Sequence, residues 1–426
     1  MNQNITNKWT AIGRFVFISF SIYIVLHVFF MSDYSYATSN AGSEFLHLNF
    51  ICVEVTSLIN KLFLHKKFPG FVPTADSYWA YVATFTFFVL AMVIALLWLV
   101  AGKRKNIPPA FFEFVFVVAR YFVAFELLFY GIEKLDGIQF TISAERLIPS
   151  VGSSDPFNLY WISTGASKSY AFFGGLLETA AAILLLFRRT TTLGCLIAIP
   201  VLLNVLLINI AFEVVIKLKT FHLLLFSIFI LTHDINRLYK FFILKQNTSL
   251  SLSRSPLIRG KRIWVQYALK FLLVSYMLFS IVRDEIHYYE QSHYGPYQQL
   301  VGIYNVKEFH LVEPQRISYD IDSPKWKNLA ISVFGNGVRV QLTNDSIADY
   351  DYQVDIPNRI IKFKGWWPDT TTKAKLHYIE SKPGEWLFEG IYKTDSVRFS
   401  STKIDIYTLP LLKDRGKIKW TYDSPQ

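Results

Sequence analysis

The chain has 426 residues, of which 52% are hydrophobic, 17% aromatic and only 18% charged. A soluble globular chain carries about 25% charged residues, so this composition indicates an integral membrane protein and excludes an intrinsically disordered one. The formal net charge of +11 could suggest nucleic-acid binding, but residues 284–426 hold 18 basic and 19 acidic residues. The positive excess therefore lies among the apolar segments of residues 1–283, where basic loops encode orientation. We expect no nucleic-acid partner.

Seven apolar segments are long enough to cross a hydrocarbon core, which is about 30 Å thick. They are 14–31, 79–101, 110–134, 169–187, 192–211, 218–235 and 263–282. The first segment has some features of a cleaved signal peptide, but its apolar core is longer and more aromatic than a typical one. We therefore expect an uncleaved anchor and a bundle of seven spans.

Basic residues beside the spans predict the orientation of the chain. Fourteen of them fall on one side if the N-terminus is cytoplasmic: Lys8, Arg14, Lys103, Arg104, Lys105, Arg188, Arg189, Arg237, Lys240, Lys245, Arg254, Arg259, Lys261 and Arg262. Short cytoplasmic loops are enriched in Lys and Arg. The pattern predicts a multi-pass protein of a bacterial inner membrane, with a cytoplasmic N-terminus and a periplasmic C-terminal region.

Two loops on the predicted outer side are longer than simple connectors. Residues 45–67 are apolar on one side with basic ends, which is typical of a helix lying in the membrane interface. Residues 136–168 include Pro149 and Pro156 and could fold back over the bundle, since ordered loops of this length tend to be functional. On the cytoplasmic side, the Ser-rich stretch 246–256 is expected to be a flexible linker.

After the seventh span the sequence changes from a helical to an alternating pattern. Short segments alternate apolar and polar residues between turn sequences, as strands do. The clearest segments are 328–334, 337–343, 358–364, 384–392 and 402–408. They predict a soluble antiparallel β domain of about eight to ten strands, a small barrel or sandwich.

The predicted fold class is therefore an α-helical polytopic membrane bundle followed by a C-terminal antiparallel β barrel or sandwich. Residues 1–109 hold two spans and the interfacial loop, and residues 110–243 form a four-helix membrane bundle. Residues 244–283 hold the linker and the seventh span, and residues 284–426 form the periplasmic β domain.

Polar side chains at bilayer depth are costly and therefore mark candidate functional sites. Predicted depth sorts them into a midplane layer of Arg120, Glu178 and Asn204 and an outer layer of Glu126, Tyr130, Lys134, Asn209, Lys217 and His222 around a cavity. For the midplane layer, the alternative is a structural ion pair between Arg120 and Glu178 that fixes helix register. For the outer layer, the alternative is that Lys134 and Lys217 snorkel to the interface.

In the ligand-site interpretation the outer residues have distinct roles. Lys134 and Lys217 would hold an anionic or carbonyl oxygen, Glu126 would exchange a proton, and Asn209 would donate a hydrogen bond. The pattern identifies no catalytic residue.

Metal and thiol chemistry have little support in the sequence. Cys52 and Cys195 form no C-x-x-C pair. His222 and His233 lie at different predicted depths, so we expect no shared metal. His27 in the first span is interpreted as a structural interior histidine.

Residues 110–243 resemble the DoxX-like membrane proteins. The resemblance rests on Arg120 … Tyr130-Gly131-Ile132-Glu133-Lys134-Leu135 … Gln139-Phe140, on Glu178 before an Ala/Leu-rich stretch ending in Arg188-Arg189-Thr190-Thr191, and on Asn204, Asn209 and Lys217-Leu218. It implies a four-helix bundle in the inner membrane and a link to quinones or membrane redox complexes. Some members of that family are described as oxidase or thiosulfate:quinone oxidoreductase subunits. A thiol-redox version is disfavoured because the redox cysteine pair is missing.

These observations predict a DoxX-like protein that binds a lipophilic or quinone-type ligand, with a quinone or a lipid as the expected bound molecule. Its expected partners are the bilayer and subunits of a membrane redox complex. One alternative is a scaffold whose β domain binds an envelope protein. A more distant resemblance is to vitamin K-dependent carboxylase-like membrane proteins, which also join a helical bundle to an outer β domain. That alternative would require a cavity joining Lys134 or Lys217 to an outer opening.

Overall fold

The structure, a computed structural model, describes residues 10–31, 49–72, 75–101, 108–248, 263–294, 298–312, 325–332, 337–365, 369 and 371–413. The chain forms two compact units. The first comprises Met1–Asp136 with Phe172–Asp284, and the second comprises Gly137–Ala171 with Glu285–Gln426. Outside the described residues lie 45–48 of the predicted interfacial loop, 249–256 of the predicted linker, and the basic residues Lys8, Lys103, Arg104, Lys105, Arg254, Arg259, Lys261 and Arg262.

Long apolar helices make up the first unit. In chain order the helices of the protein are α1 (Ala11–Phe30), α2 (Asn49–Ile59, continued by a π-helical turn at Asn60–Leu64), α3 (Tyr78–Ala101), α4 (Pro109–Asp136), α5 (Pro156–Ala166), α6 (Lys168–Leu186), α7 (Thr191–Ala211), α8 (Lys217–Leu231), α9 (Ile235–Phe242), α10 (Ile263–Tyr294) and α11 (Pro410–Lys413). Among the described residues, six helices are long and apolar enough to cross a membrane, namely α1, α3, α4, α6, α7 and α10. They indicate a multi-pass membrane protein.

The predicted span 218–235 is not one straight helix. It is divided between α8 and α9, whose axes differ by 72°. Asp234 lies at the bend and accepts hydrogen bonds from the Thr192 hydroxyl at 2.6 Å and from Arg237 at 2.8 Å. If the bent pair counts as one span, the described residues contain seven spans, as hydropathy predicts.

Small side chains allow these apolar helices to approach one another. The buried positions of α3 are Trp79, Ala80, Ala83, Phe87, Ala91 and Ala95. Most of them are alanines at helical spacing, whereas Phe85 and Leu97 are more than half exposed. Helix interfaces in membranes favour small residues because dispersion contacts, and not water exclusion, hold them together. The bulky residues of α3 are therefore left on the lipid-facing side.

The crossing of α4 and α6 depends on two glycines. A Cβ atom on Gly175 would lie 2.6 Å from the carbonyl oxygen of Gly131 and 2.8 Å from the Cβ of Lys134. A Cβ atom on the adjacent Gly174 would meet only the Cδ atom of Lys134, at an ordinary contact distance of 3.9 Å. The two helices therefore touch backbone to backbone at Gly131 and Gly175.

Gly175→Ala should consequently destabilise the first unit, although alanine is a better helix former than glycine. Forcing a methyl group into a filled contact costs about 1–3 kcal/mol. Thermal unfolding in detergent measures the effect, with Gly174→Ala as the matched control. A Gly175→Ala protein that melts at or above the Gly174→Ala protein would contradict this contact.

A closed β barrel forms the core of the second unit. Its strands are β1 (Gly302–Val312), β2 (Trp326–Ile331), β3 (Val338–Leu342), β4 (Ile347–Asp355), β5 (Ile360–Lys364), β6 (Thr372–Lys382), β7 (Glu385–Tyr392) and β8 (Asp395–Ile404). Each strand pairs antiparallel with its neighbours in the chain, and β1 pairs with β8 to close the barrel. The prediction of a small antiparallel β domain is confirmed, and of the two predicted forms, barrel or sandwich, the structure has the barrel. The predicted strand 402–408 is wrong beyond Ile404, because Asp405 caps a short 3₁₀ turn there.

Aromatic side chains fill the inside of the barrel. Tyr304, Phe363, Phe388 and Phe399 are fully buried, and the rings of Phe388 and Phe399 stack with centroids 4.9 Å apart. An eight-stranded barrel is just wide enough for side chains to fill it. The interior of this barrel is thus a packed core.

The loop between α4 and α6 belongs to the second unit. Its residues Ile142 and Ala144 share an apolar cluster with Ile303, Ala330 and Ile406. From sequence, this loop was placed in the domain 110–243, and it could have folded back over the bundle. In the structure, residues 137–171 group with the barrel residues, and the apolar side chains of the loop pack against barrel strands.

Buried polar contacts also hold this loop. The carboxylate of Glu145, which is 2% exposed, accepts hydrogen bonds from the hydroxyls of Ser143 and Ser332. Arg339 donates to the backbone carbonyl of Glu145 at 3.0 Å and forms a two-point ion pair with Asp349 at 2.6 and 2.9 Å. The loop is therefore joined to β3 by hydrogen bonds as well as by apolar packing.

Glu145→Ala should loosen the loop, because it leaves the buried hydroxyl of Ser332 and the partly buried hydroxyl of Ser143 without their acceptor. Such a loss costs about 1–3 kcal/mol. Limited proteolysis should cleave within 137–171 faster in this variant than in the wild type. Glu389→Ala, which removes an exposed carboxylate of the same barrel, is the control, and equal cleavage rates in both variants would show that Glu145 does not hold the loop.

Candidate functional site

A buried ion pair joins α4 to α8. Lys219 Nζ lies 2.7 Å from Glu126 Oε2, and these residues are 8% and 1% exposed. Lys219 also donates to the Tyr130 hydroxyl at 3.1 Å. Glu126 and Tyr130 are four residues apart on α4 and therefore lie on one face of it, so a single lysine satisfies both.

Two stacked histidines lie one turn further along. The rings of His27 and His222 are nearly parallel, with centroids 4.2 Å apart. His222 Nδ1 lies 2.6 Å from the carbonyl oxygen of Leu218, which can only accept, so Nδ1 carries a proton. In a neutral His222 ring, Nε2 is then the acceptor for the Tyr23 hydroxyl at 2.6 Å. The contacts thus fix the orientation and the tautomer of His222.

His27 has spare hydrogen-bonding capacity. Its side chain is only 6% exposed, and its Nδ1 has no hydrogen-bond partner among the described residues. Buried polar atoms nearly always have partners. An orphan nitrogen in this position therefore leaves room for a hydrogen bond to a group outside the described residues.

A cavity opens beside these groups. Its polar lining is His27, Asp76, Thr84, Glu126, Lys219 and His222, and its apolar lining is Met31, Ala75, Phe122, Ile216 and Leu218. With its open mouth included, it has about 400 Å³ of empty space. The enclosed part of this space is small, about the size of one or two water molecules, and the rest is the open mouth.

The charges around the cavity compensate one another. Glu126 is paired with Lys219, and Asp76 lies 3.6 Å from the Lys217 ammonium. Asp76 also accepts hydrogen bonds from the backbone N–H groups of Lys217 at 2.7 Å and Leu218 at 2.9 Å. A carboxylate there complements the positive end of the helix dipole of α8. The lining carries two carboxylates and one ammonium group, and Lys217 outside it supplies the second positive charge, so the two ion pairs together are neutral when the histidines are neutral.

Only two of the nine predicted site residues, Glu126 and His222, line this cavity. Tyr130 reaches it indirectly through Lys219. Asn209 instead donates to the Thr220 hydroxyl at 2.8 Å, and the Lys217 ammonium donates to the carbonyl of Val214 at 3.0 Å. The first contact joins α7 to α8, and the second lies within the turn between them. Asn209 and Lys217 therefore stabilise the structure here and do not line the cavity.

The predicted midplane layer does not form. Glu178 is paired with Lys134 at 2.5 Å, and not with Arg120 as in the structural alternative for this layer. Arg120 donates to the Thr191 hydroxyl at 3.4 Å, which places it level with the start of α7. Asn204 is exposed. The depth estimate failed because α4 extends well beyond the end of α6, so equal positions along two spans are not equal depths.

Sequence reasoning missed Lys219, Tyr23, His27 and Asp76 as members of the site. Lys219 received no role in the sequence-based prediction. The available signal was its spacing of three residues from His222, which places both on one face of α8. For His27, the signal was its four-residue spacing from Tyr23 on α1.

Among the described residues, no group of three His, Cys, Asp or Glu side chains could hold a metal ion. No family model matches the sequence, and no solved structure matches it. The chain is 35% identical over 111 residues to the uncharacterized protein YwoB of Bacillus subtilis (strain 168). The matched part is 26% of this chain and 66% of that protein, slightly under two thirds of its length.

Lys219→Met should strongly destabilise the first unit, because it leaves Glu126 buried without its cation. Breaking a buried pair costs about 3–5 kcal/mol. The double variant Lys219→Met/Glu126→Leu should recover most of that loss, since no charge then remains uncompensated. Unfolding by SDS titration in mixed micelles measures all three proteins, with the exposed Lys61→Met as control. A single variant as stable as the double variant would refute the compensation.

Proposed function

We propose that the helical unit is a DoxX-like bundle that binds the uncharged polar head of a lipophilic, quinone-type molecule in the cavity beside His27 and His222. The observation that carries this proposal is the orphan Nδ1 of His27, which is buried and lies in a residue of the cavity lining. A quinone or quinol oxygen can form the hydrogen bond that this nitrogen lacks.

Charge compensation supports an uncharged ligand. A carboxylate or phosphate entering the cavity would meet no surplus positive charge, because Lys219 and Lys217 are already paired with Glu126 and Asp76. Burying such an anion without a counter-charge is costly. A carbonyl or hydroxyl head needs only hydrogen bonds, which His27 and the hydroxyl of Thr84 can supply. In this proposal the ligand is therefore bound by the neutral donors His27 and Thr84, and not by Lys134 and Lys217, which the sequence suggested as anion-binding groups.

The residues beside the cavity also suit proton exchange with such a head. Glu126, Lys219 and Tyr130 form one connected group, and His222 is connected to Tyr23. Quinone-type molecules gain and lose protons when their redox state changes, so the proposal extends to association with membrane redox subunits. We further propose a bacterial inner-membrane location, a cytoplasmic N-terminus and a periplasmic barrel, on the basis of the basic residues beside the spans.

A scaffold is the second candidate, and the packed barrel interior favours it. Because aromatic side chains fill the interior, any binding by the barrel must use its outer surface, as an envelope partner would. The carboxylase-like alternative required Lys134 or Lys217 in an open cavity. The lysine that lines the described cavity is Lys219.

His27→Ala should reduce retention of the ligand, because it removes the orphan donor or acceptor. One hydrogen bond is worth about 1 kcal/mol, roughly a fivefold change in affinity. Mass spectrometry of small molecules retained after gentle detergent purification would compare the wild type, His27→Ala and His377→Ala, the last being an exposed histidine of the barrel.

Titration with a short-chain ubiquinone gives a direct measurement on the same three proteins. We expect the wild type and His377→Ala to bind it equally, and His27→Ala to bind it about fivefold more weakly. Equal binding by His27→Ala, or no retained or added quinone on the wild type, would leave the scaffold as the better account.

A further inference from the structure

The outward side of α7 carries a carboxamide where hydrocarbon is expected. Asn204 is the fourteenth of the 21 residues of α7, so it lies about 20 Å from the start of the helix and about 10 Å from its end, at a rise of 1.5 Å per residue. Its side chain is exposed and has no hydrogen-bond partner among the described residues. The short side chain of asparagine cannot reach water at either end of the span from this depth.

An unpaired polar group that faces hydrocarbon is costly, because no water is present to bind it. Polar side chains in spans therefore face the interior of a bundle or another protein surface. Asn209, the other asparagine of α7, follows this rule, since it is only 3% exposed and donates to the Thr220 hydroxyl. The outward position of Asn204 therefore indicates that a second protein surface covers this side of α7 in the membrane.

The residues around Asn204 form one exposed stripe, which we call the Asn204 face. Leu196, Pro200 and Asn204 follow one another at four-residue spacing and are all exposed. Leu203 and Leu207 are exposed beside them, at 46% and 57%. Rows with four-residue spacing form ridges that pack into the grooves of a facing helix. Pro200 has no N–H to give to the carbonyl of Leu196, so the face offers a facing helix a backbone acceptor as well as a carboxamide.

A second copy of this chain has the chemistry that the Asn204 face requires. A carboxamide is both a donor and an acceptor, so two copies of Asn204 complement each other, whereas lipid acyl chains offer no hydrogen bond. Copies of a multi-pass protein share one orientation in the membrane, because the basic residues beside the spans set it. A twofold axis along the membrane normal therefore brings Asn204 to the same depth as Asn204 of the second copy, in an interface made by one face twice.

We propose that the Asn204 face binds the same face of a second copy and forms a parallel homodimer in the membrane. The two Asn204 carboxamides hydrogen-bond to each other near mid-span, and the exposed leucines of the two faces pack around them. Hydrogen bonds between asparagines of facing spans stabilise helix association in lipid. The lining of the described cavity includes no residue of α7, so the proposal is independent of what that cavity binds.

Energy transfer between donor-labelled and acceptor-labelled copies of the full-length protein in phosphatidylcholine vesicles, measured as lipid dilutes the protein, tests this proposal. We expect the wild type to dimerise. Asn204→Leu should dimerise about tenfold more weakly, because apolar side chains gain no hydrophobic attraction from meeting in lipid. Asn204→Gln keeps the carboxamide and should dimerise more tightly than Asn204→Leu. Asn305→Leu makes the same change at an exposed asparagine of the barrel and should match the wild type.

Disulfide crosslinking in the membranes of the expressing cells locates the interface. Leu207→Cys should form a crosslinked dimer, whereas Leu97→Cys, at a similarly exposed leucine of α3, should not. Because Cys52 and Cys195 are buried, such a crosslink reports the introduced thiol. A monomeric wild type, equal dimerisation by Asn204→Leu, a dimer crosslinked through Leu97→Cys and not through Leu207→Cys, or a Leu207→Cys crosslink to a different protein would each overturn the proposed homodimer.

Discussion

The ion pair between Glu126 and Lys219 determines how the first unit can be assembled. Neither charge can face hydrocarbon, so α4 and α8 must be neighbours and must turn these two residues toward each other. That rotation also directs His222, three residues after Lys219, toward α1, where it meets Tyr23 and His27. The cavity and its polar lining are thus consequences of one buried contact.

The pair itself is poor evidence of stabilisation. Buried ion pairs lose much of their attraction to the cost of removing both charges from water, and apolar replacements are often as stable. Its physical effect is specificity, since it allows only one mutual rotation of α4 and α8. The glycine contact at Gly131 and Gly175 does the same for α4 and α6 by steric means, with Lys134 and Glu178 paired beside it.

Hydropathy and alternation predicted the elements well because both report properties of a short stretch of chain. The predicted spans match the helices within a few residues, except at the bend before Asp234 and in α10, which runs past the predicted end at 282 to Tyr294. The alternating segments correspond to strands of the barrel. The partners of the charged residues were harder to predict, because a pairing depends on the rotation of each helix and on its vertical offset from its neighbours. Arg120, Lys219 and Asn204 were misjudged for these reasons, and no periodicity within one span contains that information.

The second unit is discontinuous, and this has a consequence for biosynthesis. Residues 137–171 leave the ribosome well before the strands that cover Ile142 and Ala144, because domains are completed in the order of synthesis. Helices α6 to α10 are synthesised between these two events. During that time the apolar surface of the loop is uncovered and the Ser332 hydroxyl that Glu145 binds has not yet been made. The second unit therefore cannot be completed until helices α6 to α10 and the strands that follow them have been synthesised.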